Sequence, residues 1–403
     1  MASIGHPYYL TMKKTYLLLT LVFIVVSCSK EDDIEISKHF NKTAIVYMMA
    51  ENSLSFSSQC DLSEILSGSK YLPGGSDIIV YIDDANWITG DTLPMLIRIE
   101  EEGTDTLKTY LEQDSCDGTV FASVLSDIKS LSPSDSYSLV MWSHGTGWLP
   151  SNNAPQKTIG IDNNQNAYSN AGSEMEISAM REAIEQTELH FNWIMFDACF
   201  MQCIETAYEL KDIADYIIGS PAEIPAKGAP YDIIARDFFI SDNEQSAMKI
   251  AYDYYNYYKG SKGVLLSVVK TSELDALADI TSQVLDSIPT VDDSEGIQQY
   301  GPWSKNSMWR SEYYDMASIM YHRLDSTRYE QWFQQIENAI PYRLNSISWK
   351  TSYNFDAVMT DSLHYAGVSM FLPAERYEPY GYNEAVKQTR WWQRVFHYIG
   401  GNR

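Results

Sequence analysis

From Lys42 onward the apolar residues fall in short, nearly unbroken runs. KTAIVYMMA (42–50), DIIVYID (77–83), SYSLVMWS (136–143), FNWIMFDA (191–198) and DYIIGSP (215–221) each read as a strand. A strand with one wetted face alternates polar and apolar residues; these do not, which predicts strands covered on both faces. PMLIRIEE (94–101) alternates more cleanly and is expected nearer a sheet edge. Helical patterns lie between the runs. SSQCDLSEILSGSK (57–70) stops shortly before Pro-Gly-Gly. DGTVFASVLSDIKSLSP (117–133) opens on a capping Asp117 and stops before Pro133. SEMEISAMREAIEQTEL (173–189) gathers Ile177, Met180, Ala183, Ile184 and Leu189 on one face. Strand and helix in turn imply an α/β domain with a mainly parallel sheet flanked by helices.

Two stretches depart from this rhythm. Residues 149–173 (LPSNNAPQKTIGIDNNQNAYSNAGS) are long, polar and rich in Asn, Ser, Gly and Pro, the composition of a functional or flexible loop. Beyond about Gly260, GVLLSVVK and AGVSMFLP read as strands, and LDALADITSQVL and YDMASIMYHRL as helices. The expected organisation is a signal peptide over 1–28, an acidic tether over 29–40, a main domain over 41–259 and a smaller C-terminal α+β subdomain over 260–403.

The N-terminal segment follows from its own pattern. Lys13 and Lys14 precede an apolar stretch, Tyr16 to Val26, that is short for a bilayer, which takes about 20 residues to span. VVSC then resembles the lipobox of a bacterial lipoprotein, with Cys28 as the lipidated residue and Met12 as the expected native start. An ordinary cleaved signal peptide is the alternative. SKEDD after Cys28 resembles the export signal of surface lipoproteins in Bacteroidetes. The resemblance implies lipid anchoring to the outer membrane, with exposure at the cell surface and no other membrane contact.

Charge narrows the partners. With 54 acidic against 29 basic residues, the net charge of −25 argues against nucleic acid and anionic membrane surfaces. Of the five cysteines, none stands in a metal-type or CxxC spacing, so structural zinc and thioredoxin-like chemistry are not expected. Pairing of Cys60 with Cys116 is open at this level.

Candidate chemistry sits at two strand ends. SLVMWSHG ends on His144 and Gly145; NWIMFDAC ends on Asp197 and Cys199. Ligands in parallel α/β sheets bind beyond the carboxyl ends of strands, so His144 and Cys199 are expected to face each other there. CFMQCIETAYEL (199–210) reads as a helix whose first N–H groups favour a thiolate at Cys199. His144 can take the thiol proton, and the N–H groups of Gly145 and Cys199 can hold an oxyanion. Cys203, one turn into that helix, reads as a core residue. Asp197 is either a helix cap or a charge beside the nucleophile.

His-Gly on one strand and Asp-Ala-Cys on the next resemble the clostripain-like cysteine peptidases (peptidase C11), relatives of caspases, gingipains and legumain. AIVYMMAENSL, GSPAEIPAKGAPYD, YDMASIM and AGVSMFLP are similar to further family segments. The resemblance implies a caspase-like fold, a Cys199/His144 dyad, and cleavage of protein or peptide substrates after Arg or Lys. Asp197, with Glu223, is then the carboxylate that receives the substrate cation. It also implies self-cleavage in the 149–173 loop, where Lys157 precedes Thr158. No cofactor is implied as required. Some relatives use calcium, and the oxygen-rich IDNNQN reads equally as a calcium loop or as a solvated one. The alternative is a non-catalytic surface-binding lipoprotein on a degenerate peptidase fold.

Overall fold

A computed structural model describes residues 38–85, 93–101, 103–149, 159–164, 170, 172–290, 296–301, 312–351 and 356–396. Cys28, Lys157, Thr158 and most of the expected tether lie outside the described residues. Among the described residues no helix is long and apolar enough to cross a membrane.

The apolar runs form the middle of a nine-stranded sheet. In chain order its strands are β1 (Phe40–Ala50), β2 (Ser76–Asp84), β3 (Met95–Glu100), β4 (Gly103–Thr109), β5 (Ser134–Trp142), β8 (Phe191–Asp197), β9 (Tyr216–Gly219), β10 (Leu265–Lys270) and β12 (Tyr342–Asn345). Between them lie a small hairpin of β6 (Ile159–Asp162) and β7 (Ser173–Met175), and β11 (Tyr314–Asp315). The spatial order is β12-β10-β9-β8-β5-β1-β2-β3-β4. The five central strands, β9-β8-β5-β1-β2, are parallel; β10 and β12 at one edge and β3 and β4 at the other join antiparallel. The alternating run at 95–100 is thus second from an edge, and the edge strand β4 is mostly exposed and polar.

Burial explains the unbroken runs. Ile45, Tyr47 and Met49 of β1 enter one core, while Ala44, Val46 and Met48 enter the other. The first core is covered by α2 (Gly118–Leu131), α3 (Ile177–Thr187), α4 (Ile204–Glu209), α7 (Leu274–Val284), α8 (Met316–Arg323) and α9 (Ser326–Ala339). The second lies under α1 (Ser55–Gly68), α5 (Tyr231–Ile234) and α6 (Asn243–Tyr258). Asp117 caps α2 as expected, accepting from the Thr119 and Val120 N–H groups.

The expected division at 259/260 falls just after α6. Beyond it, β10 and β12 continue the same sheet, and residues from both sides share the first core. The two late apolar segments are joined through Asp315. It caps α8 and also accepts from the Ala366 and Gly367 N–H groups.

Two local expectations are corrected. The 149–173 stretch is not uniformly loop: β6 is fully buried and pairs with β7. Ile159 and Ile161 supply its apolar face, and Gly160 at φ +88° fits where a Cβ would come 2.7 Å from the Cys116 sulfur. The helix expected to start at Cys199 starts instead at Ile204, with Cys203 in the N-cap position. Phe200 takes φ +62°. The Phe200 and Gln202 N–H groups bond to the Ala222 and Ser220 carbonyls, so this stretch follows the neighbouring chain instead of coiling.

Candidate active site

The site is set by strand register. β5 and β8 run parallel with Trp142 opposite Asp197. Two residues further along each chain stand His144 and Cys199, emerging from neighbouring strand ends. Gly145 rests against the cysteine turn: a Cβ there would come 2.8 Å from the Cys199 carbonyl oxygen and 3.0 Å from the Ala198 Cβ. Any side chain at 145 would push the two strand ends apart.

His144 is partly buried, and its Nε2 lies 3.0 Å from the Ser53 hydroxyl. Burial lowers its imidazole below the usual range. Ser53 belongs to a turn after β1 that Asn52 ties down. The Asn52 amide donates to the Met49 carbonyl at 2.9 Å and to the Ile161 carbonyl at 2.8 Å. Ser53 was not singled out in the sequence. The available signal is the polar ENS directly following a buried strand.

The Cys199 sulfur accepts from the Ile224 N–H at 3.4 Å. Burial first, then the charges of Glu223 and Asp197, pushes its thiol up to about 12, against the relief given by Ile224. No helix terminus stands at this cysteine, so the expected thiolate stabilisation from one is absent. Both shifts favour a neutral thiol and a neutral imidazole at rest. Cys203 is buried, as expected of a core residue, and its thiol donates to the Thr206 hydroxyl at 3.0 Å. Cys60, Cys116, Cys199 and Cys203 are all free, which closes the Cys60–Cys116 question in this structure.

Asp197 caps no helix. It is 2% exposed. One carboxylate oxygen accepts from the Ala229 N–H at 3.0 Å and the Tyr231 hydroxyl at 2.9 Å; the other accepts from the Tyr254 hydroxyl at 3.0 Å. Burial still raises its carboxyl above the ordinary range, although all three donors oppose this. Beside it is Asp61, also unmarked by sequence. Asp61 accepts from the Trp142 indole N–H at 2.8 Å, and its other oxygen is buried without a donor. Burial, then the charge of Asp197, pushes Asp61 up to about 8. Glu223, nearly buried, follows Ala222 in the segment bonded to the cysteine turn.

Residues 46–393 match the clostripain family, peptidase C11. The chain belongs to the clostripain family. It is a cysteine-type peptidase with the mixed α/β architecture of that family. A secreted C11 cysteine protease from Bacteroides thetaiotaomicron, solved with an irreversible peptide inhibitor, is 30% identical, with 89% of this chain and 99% of that one covered and a TM-score of 0.75. An inactive zymogen C11 protease from Parabacteroides distasonis is 28% identical, with 90% and 99% covered and a TM-score of 0.74. No curated protein matches the sequence.

Proposed function

We propose that this clostripain-family peptidase cleaves peptide bonds after Arg or Lys through Cys199 and His144. The reading rests on one observation: His144-Gly145 and Cys199 leave adjacent, parallel strand ends, and Gly145 packs against the backbone of the cysteine turn. Because Ser53 engages Nε2, Nδ1 is the nitrogen left for the thiol proton. As the sulfur attacks the carbonyl carbon, that proton passes to His144. The negative charge forming on the carbonyl oxygen is held by the Gly145 and Cys199 N–H groups. The imidazolium then protonates the departing amine as the C–N bond breaks. Water, deprotonated by His144, cleaves the thioester and restores the thiol. A thiol pushed up to about 12 is not ionised beforehand, so proton transfer accompanies attack.

Asp197 and Glu223 serve the substrate cation. Three donors already occupy Asp197, leaving one acceptor position on the oxygen bonded to Tyr254. One N–H from Lys or Arg suits that position better than a bidentate Arg fork.

Self-cleavage after Lys157 precedes full activity in this proposal. The new N-terminus, Thr158, would directly precede the buried Ile159 of β6. The zymogen state of the Parabacteroides distasonis protein supports such a step. The mature chain is held at the outer-membrane surface by lipidated Cys28.

N-terminal sequencing and fluorogenic peptides test this together. Wild type is expected to show a Thr158 terminus and to cleave after Lys and Arg. Cys199→Ala and His144→Ala are expected to stay intact, inactive and folded. Turnover retained in purified Cys199→Ala overturns the dyad; an intact, fully active wild type overturns the self-cleavage step alone.

A further inference from the structure

One short segment touches both halves of the site. The Ile224 N–H meets the Cys199 sulfur at 3.4 Å, and the Ala229 N–H meets Asp197 at 3.0 Å. Between these two contacts the chain reverses. The Gly228 N–H bonds to the Pro225 carbonyl at 2.8 Å, and Gly228 takes φ +73°, which suits a residue without a Cβ. A Cβ there would come 2.7 Å from one Asp197 oxygen and 3.3 Å from an Asp61 oxygen, so the turn rests on both carboxylates.

Residues 221–230 belong to neither a helix nor a strand, so side chains from the flanking helices set the position of the turn. From α1, the Ser57 hydroxyl donates to the Ala226 carbonyl at 3.3 Å, and the Glu64 carboxylate meets the Lys227 ammonium at 2.8 Å. From α6, the Tyr258 hydroxyl donates to the Gly228 carbonyl at 2.8 Å, and the Tyr257 hydroxyl accepts from Lys227 at 2.7 Å. Ser57 and Tyr258 each hold the turn to one helix. Lys227 ties it to both. The Glu64 side chain is only 21% exposed, so this pair is better shielded than an ordinary surface ion pair. The bonds to Glu64 and Tyr257 hold the ammonium above the usual lysine range.

We propose that Lys227 is a positioning residue for the peptidase site. By bridging α1 and α6 across the turn, it sets the Ile224 amide on the nucleophile and the Ala229 amide on Asp197. Its own bonds go to Glu64 and Tyr257, not to a reacting atom. The Ile224 N–H is the donor that favours a Cys199 thiolate against the charges of Glu223 and Asp197, so a looser turn makes the sulfur harder to ionise. The effect on peptide cleavage rests on the function proposed above; the effect on the thiol does not.

The rival role for Lys227 is purely electrostatic. Its charge opposes the rise in the Asp61 carboxyl, and a cation so placed also repels the cation of a substrate. The two roles predict opposite signs. Removing a repelling charge lowers KM for Lys and Arg peptides and leaves the thiol alone. Releasing the turn misplaces the amides on Asp197 and Cys199, which raises KM, lowers kcat and slows the thiol.

Two variants of the full chain test this. Lys227→Met keeps the apolar stem and removes the ammonium. Tyr257→Phe releases the α6 half of the bridge and changes no charge. With a fluorogenic Lys peptide, Lys227→Met is expected to raise KM by about 2- to 12-fold, the loss of one ordinary hydrogen bond, and to lower kcat. Alkylation by iodoacetamide near neutral pH, read at Cys199 by peptide mass mapping, is expected to slow by about the same factor. Tyr257→Phe is expected to move all three in the same direction by less. A lower KM with unchanged alkylation in Lys227→Met overturns the bridge in favour of charge alone. A fall in Tm with wild-type kinetics and alkylation assigns Lys227 to stability and overturns the proposal. If wild type cleaves no peptide after Lys or Arg, the proposed function fails by itself: slower alkylation in Lys227→Met then still upholds the bridge, and unchanged alkylation removes it.

Discussion

Asp197 and Asp83 end neighbouring parts of one parallel sheet, and both are buried, yet their surroundings are opposite. Asp197 is met by an amide and two tyrosine hydroxyls, each within 3.0 Å. Asp83 has no donor and two other carboxylates beside it. A carboxylate already given three donors is held in place before any ligand arrives, with little capacity left. A carboxylate given none is poised for something that brings positive charge. The two clusters also address different halves of the site: Asp197 sits two residues before Cys199, and the Asp83 cluster lies behind the turn that holds His144.

The contrast is broken most directly by the same substitution at both places. Asp197→Asn is expected to cut kcat/KM for Arg and Lys substrates by about 30-fold to several thousand-fold, the usual cost of removing one partner of a desolvated charge pair, ~2–5 kcal/mol. It also turns an amide toward donors that need an acceptor, costing about 1–3 kcal/mol of stability for each donor stranded. Asp83→Asn strands no donor. It is expected to melt no lower than wild type, since it relieves like-charge repulsion with Glu51. Urea melts of both variants check this. Equal destabilisation would show that Asp83 has protein donors after all.

A smaller effect concerns Asp61, the neighbour of Asp197. A carboxyl whose folded value is raised holds its proton more tightly when folded. The stability it contributes is therefore full below the unfolded value near 3.9 and is lost as pH rises through about 8. Between those limits the slope is about 1.4 kcal/mol per pH unit. Wild type is expected to be more stable at pH 6 than at pH 8, and Asp61→Asn to lessen that difference by its own share, the buried Asp83, Glu205 and Asp237 carboxyls being raised as well. An unchanged slope in Asp61→Asn would place the titration elsewhere.

The difference between the clusters also marks what the sequence discloses. The strands were legible because burial on both faces forces apolar residues into consecutive positions, and His144 and Cys199 because each ends such a run. The cysteine turn was not: CFMQCIETAYEL has helical composition throughout, and pairing with Ser220, Ala222 and Ser369 keeps its first residues out of a helix. Asp197 could be named but not its surroundings, because Tyr231 and Tyr254 reach it from helices far along the chain. Glu51 follows one legible strand and Asp83 lies at the end of another, but their proximity depends on the β1–β2 register, and Glu112 arrives from a separate segment. The hairpin within 149–173 was masked by its polar flanks, IGID being only four residues long.

The smallest expected effect joins the two halves. Ser53 is a positioning residue: it touches His144 and no reacting atom in the proposed mechanism. Ser53→Ala removes one hydrogen bond, typically about 0.5–1.5 kcal/mol, so kcat is expected to fall by roughly 2- to 12-fold. KM for a Lys substrate is expected to hold, since in the proposed mechanism the substrate cation is received by Asp197, away from Ser53. A fall in KM discrimination instead of kcat would move Ser53 to the substrate side of the comparison.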